Sequence, residues 1–336
     1  MIGLACAQAL CQRGASVTVA ERGLCGQEAS WAGGGILSTL CPWDYPGEVT
    51  RLAGRGAALF PEWARALHQE TGIDPEYEVS GMRILPPVES GLAEQWCSAH
   101  GVRYAADAGG IFLPDVAQVR NPRLLRSLRA SVESSGGRIV EHCAVNKIAA
   151  GDGKVQALET TCGEIRADTY IVTAGSWSKQ VLGEHAMALD IAPVRGQMLQ
   201  YKFAAPPLAH IVLQKDLYLI PRRDGHLLVG STMEWAGFDK SVTETARLDL
   251  SRRAGLILPQ LNAMAPVRHW AGLRPGSPGN IPTIGRHPAL ANLYLNSGHF
   301  RYGVTMACAS VEILLNDLQG LPQPLDATPY RAGWGA

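Results

Sequence analysis

The stretch from Gly26 to Ile36 reads Gly-Gln-Glu-Ala-Ser-Trp-Ala-Gly-Gly-Gly-Ile. Three consecutive glycines after a run of small residues leave backbone that can approach a flat ligand, because no Cβ stands in the way. A flexible loop looks the same in isolation, so the context decides. The stretch follows a helix opening near Gly3 and a short β-branched strand, Ser16 to Ala20, that ends at Glu21. Helix, strand and terminal acid are the second and third parts of a dinucleotide-binding βαβ unit, in which the acid holds the adenosine ribose. Glu21 is the candidate for that role, with Arg22 beside it; an exposed strand-end acid is the alternative. A stretch of this kind can lie along a flavin, with Ala29 and Ser30 near the pyrophosphate and ribityl chain and Gly34, Gly35 and Ile36 beside the isoalloxazine ring.

The first part of the βαβ unit is missing. Met1-Ile2-Gly3 supplies only the last three positions of its glycine motif. The absent strand belongs at the centre of a parallel sheet, covered on both faces. Losing several buried side chains at roughly 1.5 to 3 kcal/mol each rivals a whole stability of about 5 to 15 kcal/mol. The expectation is therefore a chain truncated at its start.

Other chemistry is thinly represented. The eight cysteines contain no Cys-x-x-Cys pair and the nine histidines no His-x-x-x-His pair, so no metal site is expected. Thirty basic and thirty acidic residues balance, which leaves no electrostatic footprint for nucleic acid or an anionic membrane. Charged residues are only 18%, which favours a large buried core. No apolar run is long enough to span a bilayer and the start lacks the pattern of a secretory signal, so a soluble, cytoplasmic protein is expected.

With 336 residues, two domains are the prior. Helical spacing of Ile2, Leu4, Ala7 and Leu10 stops near Gly14. A helix is expected over 48–70, kinked or broken at Pro61. Short strands follow near 79–85 and 110–113. Asn121-Pro122 reads as a helix cap with proline at the first helical position, and that helix stops at Gly136-Gly137. Strands are expected over 138–141, 145–149, 155–160 and 169–173, the last leading to a small-residue corner at Ala174 and Gly175. A strand-rich section starts at Pro193 and includes 217–221, 227–230 and 268–274, with a helix near 245–256. Pro282 to Arg286 reads as a turn suited to flavin contact. A strand over 293–296 then leads through Gly298 to Gly303 into a helix from Val304, whose N-terminus would stabilise negative charge on a reduced ring.

Taken together, these residues resemble the D-amino-acid oxidase superfamily of FAD-dependent oxidoreductases, and within it the glycine oxidase branch of thiamine biosynthesis. Residues 26–36 match the family's flavin loop. Trp-Ala-Gly-Leu-Arg-Pro-Gly at 270–276 matches its arginine strand, and Gly298-His299-Phe300-Arg301 its carboxy-terminal flavin turn. Pro221 to Gly225 and Val229 to Met233 resemble paired strands of its substrate domain. The pattern departs at Phe300 and Tyr302, where Tyr and Asn are usual.

The resemblance implies an α/β fold. It consists of a Rossmann-like FAD-binding domain (1–72, 118–190 and 277–336, first strand missing) and an α+β substrate domain (73–117 and 191–276) with a large mixed or antiparallel sheet. It implies that Arg274 pairs with the substrate carboxylate, that Tyr218 shares the contact, that Arg301 sits near the amine end or the mouth, and that Met233 lines the pocket. It also implies FAD held non-covalently by Gly3, Glu21, Arg22, Ala29, Ser30, Gly34, Gly35, Ile36, Val145, Ala174, Gly175, Gly298, Phe300, Arg301, Tyr302, Gly303 and Val304. The implied reaction is oxidative deamination of glycine or a similar small amino acid to the imine and 2-oxo acid, with oxygen reduced to hydrogen peroxide. A sarcosine oxidase, a D-amino-acid dehydrogenase, or an inactive remnant unable to hold FAD are the alternatives, and a homo-oligomer is left open.

Overall fold

The structure is a computed structural model and describes residues 1–335. The first helix spans Ile2–Cys11 and buries Leu4, Cys6, Ala7 and Cys11 among other residues. The strand Thr18–Ala20 then runs parallel to Arg138–Val140, with Val19 opposite Ile139. A second parallel pair joins Tyr170–Val172 to Leu293–Ser297, whose other edge pairs antiparallel with Thr283–Arg286. Among the described residues Thr18–Ala20 and Tyr170–Val172 each pair on one side only. The first helix packs against Asn121–Ser134 and the closing helix Gly303–Gln319. A three-stranded meander, Val145–Gly151, Lys154–Thr160 and Gly163–Ile165, turns at Asp152-Gly153 as its sequence suggests.

The large sheet has eight strands, in the spatial order Arg268–Gly276, Ala192–Lys202, His226–Gly230, Leu217–Pro221, Ile211–Gln214, Met82–Ile84, Gly110–Leu113 and Ala105–Asp107. All neighbours are antiparallel except Ile211–Gln214 with Met82–Ile84, so the sheet is mixed. The strand period of two sorts its side chains. Leu199, Leu219 and Val229 face the helix Glu244–Ile257 through Leu250 and Ala254. Met198, Tyr218, Ile220 and Leu228 join the central core on the other face. That alternation sets which residues of the sheet can meet a ligand.

One local expectation changes, and one element appears where none was expected. Pro61 does not break the helix, which runs without interruption over Gly47–Thr71. Proline removes one backbone hydrogen bond, but Pro61 lies on the exposed side while Leu52, Ala53, Phe60, Ala64 and Leu67 bury both halves of the same face. Residues 90–99, to which the sequence assigns no element, form a helix that buries Ala93 and Cys97 at i and i+4. The long helix touches the closing helix backbone to backbone. A Cβ at Gly56 would lie 2.0 Å from the carbonyl oxygen of Thr305.

Candidate active site

A cavity of about 940 Å³ runs between the two parallel pairs and the large sheet. One part of its wall is Val145, Cys143, Glu21 and Arg22; another is Tyr218, Ser231, Arg274 and Arg301. The flavin-loop residues Ala29, Ser30, Gly34, Gly35 and Ile36 line it, as do Gly3, Ala174, Gly175, Phe300, Tyr302, Gly303 and Val304. Two expected residues stay apart. Met233 is 43% exposed and lies outside the lining, because Thr232 and Glu234 on either side of it bond inward to Gln197 and Arg195. Gly298 sits behind the wall, its carbonyl accepting from Ser277 Oγ at 2.6 Å. The segment at Pro282 to Arg286 also departs from expectation. Thr283–Arg286 is a strand, not a turn, and does not line the cavity, because it forms the outer edge of the sheet beyond Leu293–Ser297.

The loop is held by its carbonyls. Asn121 Nδ2 donates to Ser30 O at 2.7 Å and Gly33 O at 3.1 Å. Trp270 Nε1 donates to Ala32 O at 3.0 Å, the amide of Val119 to Gly35 O at 2.8 Å, and Thr305 Oγ1 to Ile36 O at 3.2 Å. Arg222 is fully enclosed and donates to Gly34 O at 2.7 Å, Gln118 Oε1 at 2.7 Å and Val119 O at 3.0 Å. Burial lowers its pKa to about 10, with Arg120 adding repulsion, so Arg222 stays a cation at neutral pH. Asn121, expected as a helix cap, is therefore a clamp: the cap position falls to Arg120, and the Asn121 side chain turns to the loop. Neither Arg222 nor Asn121 stands out in the sequence as part of the site.

Two of the three glycines are required from behind. A Cβ at Gly34 would come within 2.6 Å of Ile220 Cδ1, and one at Gly35, where φ is +73°, within 2.1 Å of Val119 O. Side chains here would push the loop off the sheet and into the cavity.

Arg274 stands on the edge strand Arg268–Gly276, with Nη2 donating to Ser231 Oγ at 2.5 Å and Nη1 to Thr232 O at 3.2 Å. Both partners are neutral. Gly196, opposite Gly272 and two residues along from Val194, the ladder partner of Arg274, makes the space: a Cβ there would sit 2.1 Å from Nη1. Burial lowers the Arg274 pKa, with Tyr218 opposing and Arg301 adding to the shift. The neighbouring cation, Arg195, is by contrast fully compensated, at 2.6 Å from both Glu234 and Asp239. Glu234 also accepts from Thr232 Oγ1 and Gln197 Nε2, so this network fixes the segment on which Arg274 rests. Tyr302 is buried and meets Tyr45 edge-on, ring centroids 5.0 Å apart.

The residues fit an FAD-like group. Glu21 accepts from the amide of Gly23 at 3.0 Å at the end of its strand. Arg22 is stacked 3.6 Å over the Trp177 ring and paired with Glu28 at 2.6 Å. The 17-residue closing helix opens into the cavity at Gly303 and Val304. His299, part of the flavin-turn motif but given no role of its own by the sequence, is 3% exposed, lines the cavity, and has an Nε2 without a hydrogen-bond partner. An orphaned buried nitrogen of this kind is satisfied by a bound polar group.

The FAD dependent oxidoreductase family model matches residues 1–316. A glycine oxidase from Pseudomonas aeruginosa is 42% identical over 98% of this chain and 95% of its own length. A bifunctional protein ThiO/ThiG from Synechocystis is 34% identical over 95% of this chain and half of its own. The crystal structure of glycine oxidase from Geobacillus kaustophilus superposes with a TM-score of 0.92 at 24% identity, covering 98% of this chain and 95% of that one. With the cavity, the clamped glycine loop and these matches together, the chain belongs to the DAO family of FAD-dependent oxidoreductases.

Proposed function

We propose that the protein oxidises glycine or a similarly small amino acid with FAD, releasing the imine that hydrolyses to the 2-oxo acid and ammonia. The observation that carries this reading is the Arg274 guanidinium, enclosed beside Tyr218 with only neutral partners. Its remaining N–H donors suit a carboxylate bound through two charge-assisted hydrogen bonds. A carboxylate also restores charge balance that the protein leaves open. Arg301 adds a second cation to the same wall, and like charge disfavours an ammonium group nearby, so the bound amine is held neutral. Tyr218, packed against Gly34 and Gly230, directs the substrate toward the glycine loop.

The cofactor would be held by Glu21 at the ribose with Arg22 beside it, by Ala29 and Ser30 near the pyrophosphate, by Val145 at the adenine and by residues 34–36 and 300–304 at the ring. FAD when bound supplies the two-electron chemistry and passes the electrons to oxygen, giving hydrogen peroxide. No cysteine sits in a motif for covalent attachment, so the reading includes non-covalent FAD. The segments 73–117 and 191–276, which contain all eight strands of the large sheet, would act as the substrate domain and the remainder as the FAD domain. For glycine, the imine would feed thiazole formation in thiamine biosynthesis in the cytoplasm. Among the described residues no helix is long and apolar enough to cross a membrane.

The test is the visible spectrum of the purified chain, followed by anaerobic glycine. A flavin spectrum that bleaches, with peroxide then formed in air at the rate of substrate loss, supports the reading. Bleaching by sarcosine or D-alanine but not glycine would replace it.

A further inference from the structure

Two cysteines far apart in the chain meet beside the cofactor cavity. Cys143 precedes the strand Val145–Gly151, and Cys162 follows its partner Lys154–Thr160. The ladder ends with Val145 opposite Thr160, and the amide of Thr161 donates to Ala144 O at 2.9 Å. Cys162 then falls in the two-residue turn between Thr160 and its partner Gly163, beside the segment that carries Cys143. Both cysteines touch the Thr160 hydroxyl. Cys143 Sγ donates to Thr160 Oγ1 at 3.3 Å, that hydroxyl accepts from the amide of Cys162 at 3.1 Å, and Cys162 Sγ reaches His142 O at 3.7 Å. The Cys143 thiol is also the neighbour that contributes most to raising the Cys162 thiol pKa, which sets the two groups close together.

The pair is also asymmetric. Cys162 is exposed, whereas Cys143 is buried and lines the cavity two residues before Val145. The amide of Cys143 donates to the carbonyl of Glu21 at 2.8 Å, so it touches the strand end that would hold the ribose.

We propose that Cys143 and Cys162 form a peroxide-oxidisable dithiol, a modification site at the wall of the cofactor cavity that closes to a disulfide. The Cys162 thiolate attacks one oxygen of hydrogen peroxide, the O–O bond breaks and hydroxide leaves, taking a proton to become water. The thiolate of Cys143 then attacks the sulfenic sulfur; the S–O bond breaks, a second water leaves and the S–S bond forms. Two thiols lose two electrons and two protons, and peroxide is reduced to two waters. Only the source of peroxide during turnover rests on the oxidase reading, because the chemistry itself responds to peroxide from any origin.

The experiment treats the full chain with added hydrogen peroxide in the absence of amino acid, blocks free thiols and maps peptides by mass without reduction. The expected result is a Cys143–Cys162 linked peptide that dithiothreitol reverses, while Cys6 and Cys97 remain thiols. In Cys143→Ser, Cys162 should instead be trapped as the sulfenic acid by dimedone, which shows the exposed sulfur to be the attacking one. Both cysteines remaining thiols, or Cys162 passing to sulfinic acid with Cys143 still reduced in the unaltered protein, would overturn the proposal. Because no substrate is added, neither result depends on whether glycine is oxidised.

Discussion

The enclosure of Arg274 can be tested without touching any charged residue, by Gly196→Ala. The added methyl carbon would lie 2.1 Å from Nη1, 2.3 Å from Nη2 and 2.4 Å from Cζ of Arg274, where ordinary contact begins at 3.4 Å. Relief requires the guanidinium to move by at least 3.4 − 2.1 = 1.3 Å. The clashing atoms are the end of a flexible side chain, so the fold should survive, with overpacking costing about 1 to 3 kcal/mol of stability. A displacement of about 1 Å at a positioning group can cost roughly 100-fold in rate, or about 2.7 kcal/mol of transition-state stabilisation. Steady-state kinetics with glycine at fixed oxygen, alongside flavin content and urea unfolding, would measure both effects. We expect kcat/KM to fall about 100-fold, largely through KM, with flavin content unchanged. Gly54→Ala is the control: it lies in the long helix with nothing within 4 Å and should gain about 0.5 to 1 kcal/mol with unaltered kinetics. A Gly196→Ala enzyme with kcat/KM within threefold of the parent would refute the placement of Arg274 as the carboxylate anchor.

Three further outcomes follow from the same geometry. Arg274→Ala removes two charge-assisted bonds worth about 1.5 to 3 kcal/mol each and should raise KM by two orders of magnitude or more with flavin retained; colourless protein would make Arg274 a structural residue instead. Gly35→Ala meets Val119 O at 2.1 Å with φ at +73°, and backbone strain plus overpacking of about 2 to 5 kcal/mol should lower both the unfolding midpoint and the flavin-to-protein ratio; an unchanged ratio would show that the loop tolerates displacement. Burial pushes the His299 imidazole down to about 3, so below its unfolded value of about 6.5 the unfolded chain binds the extra proton and stability falls as pH falls. Between pH 7 and pH 5 this amounts to about 2 kcal/mol, read by urea unfolding, and His299→Gln should remove most of that slope.

Much of the local structure is written in short-range pattern. Ile2–Cys11, Asn121–Ser134 and Gly303–Gln319 carry helical spacing with glycine near their ends, and Asp152-Gly153 is a hairpin turn by composition. Pro61 and the helix over 90–99 were less legible, because burial on one face outweighs a local breaker or a weak propensity. The arginine strand and the glycine loop could be recognised as motifs of a family. Their physical reasons could not: the glycines at 34 and 35 answer to Ile220 and Val119, residues nearly 200 and more than 80 positions away. Met233, placed in the pocket by the resemblance, lies outside the lining, since a motif match does not reveal which neighbours a segment past the strand's end will bond to.

By itself the sequence determined most of the order of elements, the βαβ-like opening with Glu21, and the net charge of zero. These depend on composition and on interactions a few residues apart. Only the tertiary structure decided that Asn121 and Arg222 clamp the loop, that Gly196 makes room for Arg274, that His299 is buried with a free nitrogen, and that Cys143 meets Cys162. Each of these is a contact between segments distant in the chain. Whether a side chain is a clamp, an anchor or a surface residue depends on which partner the folded backbone brings within about 3 Å of it.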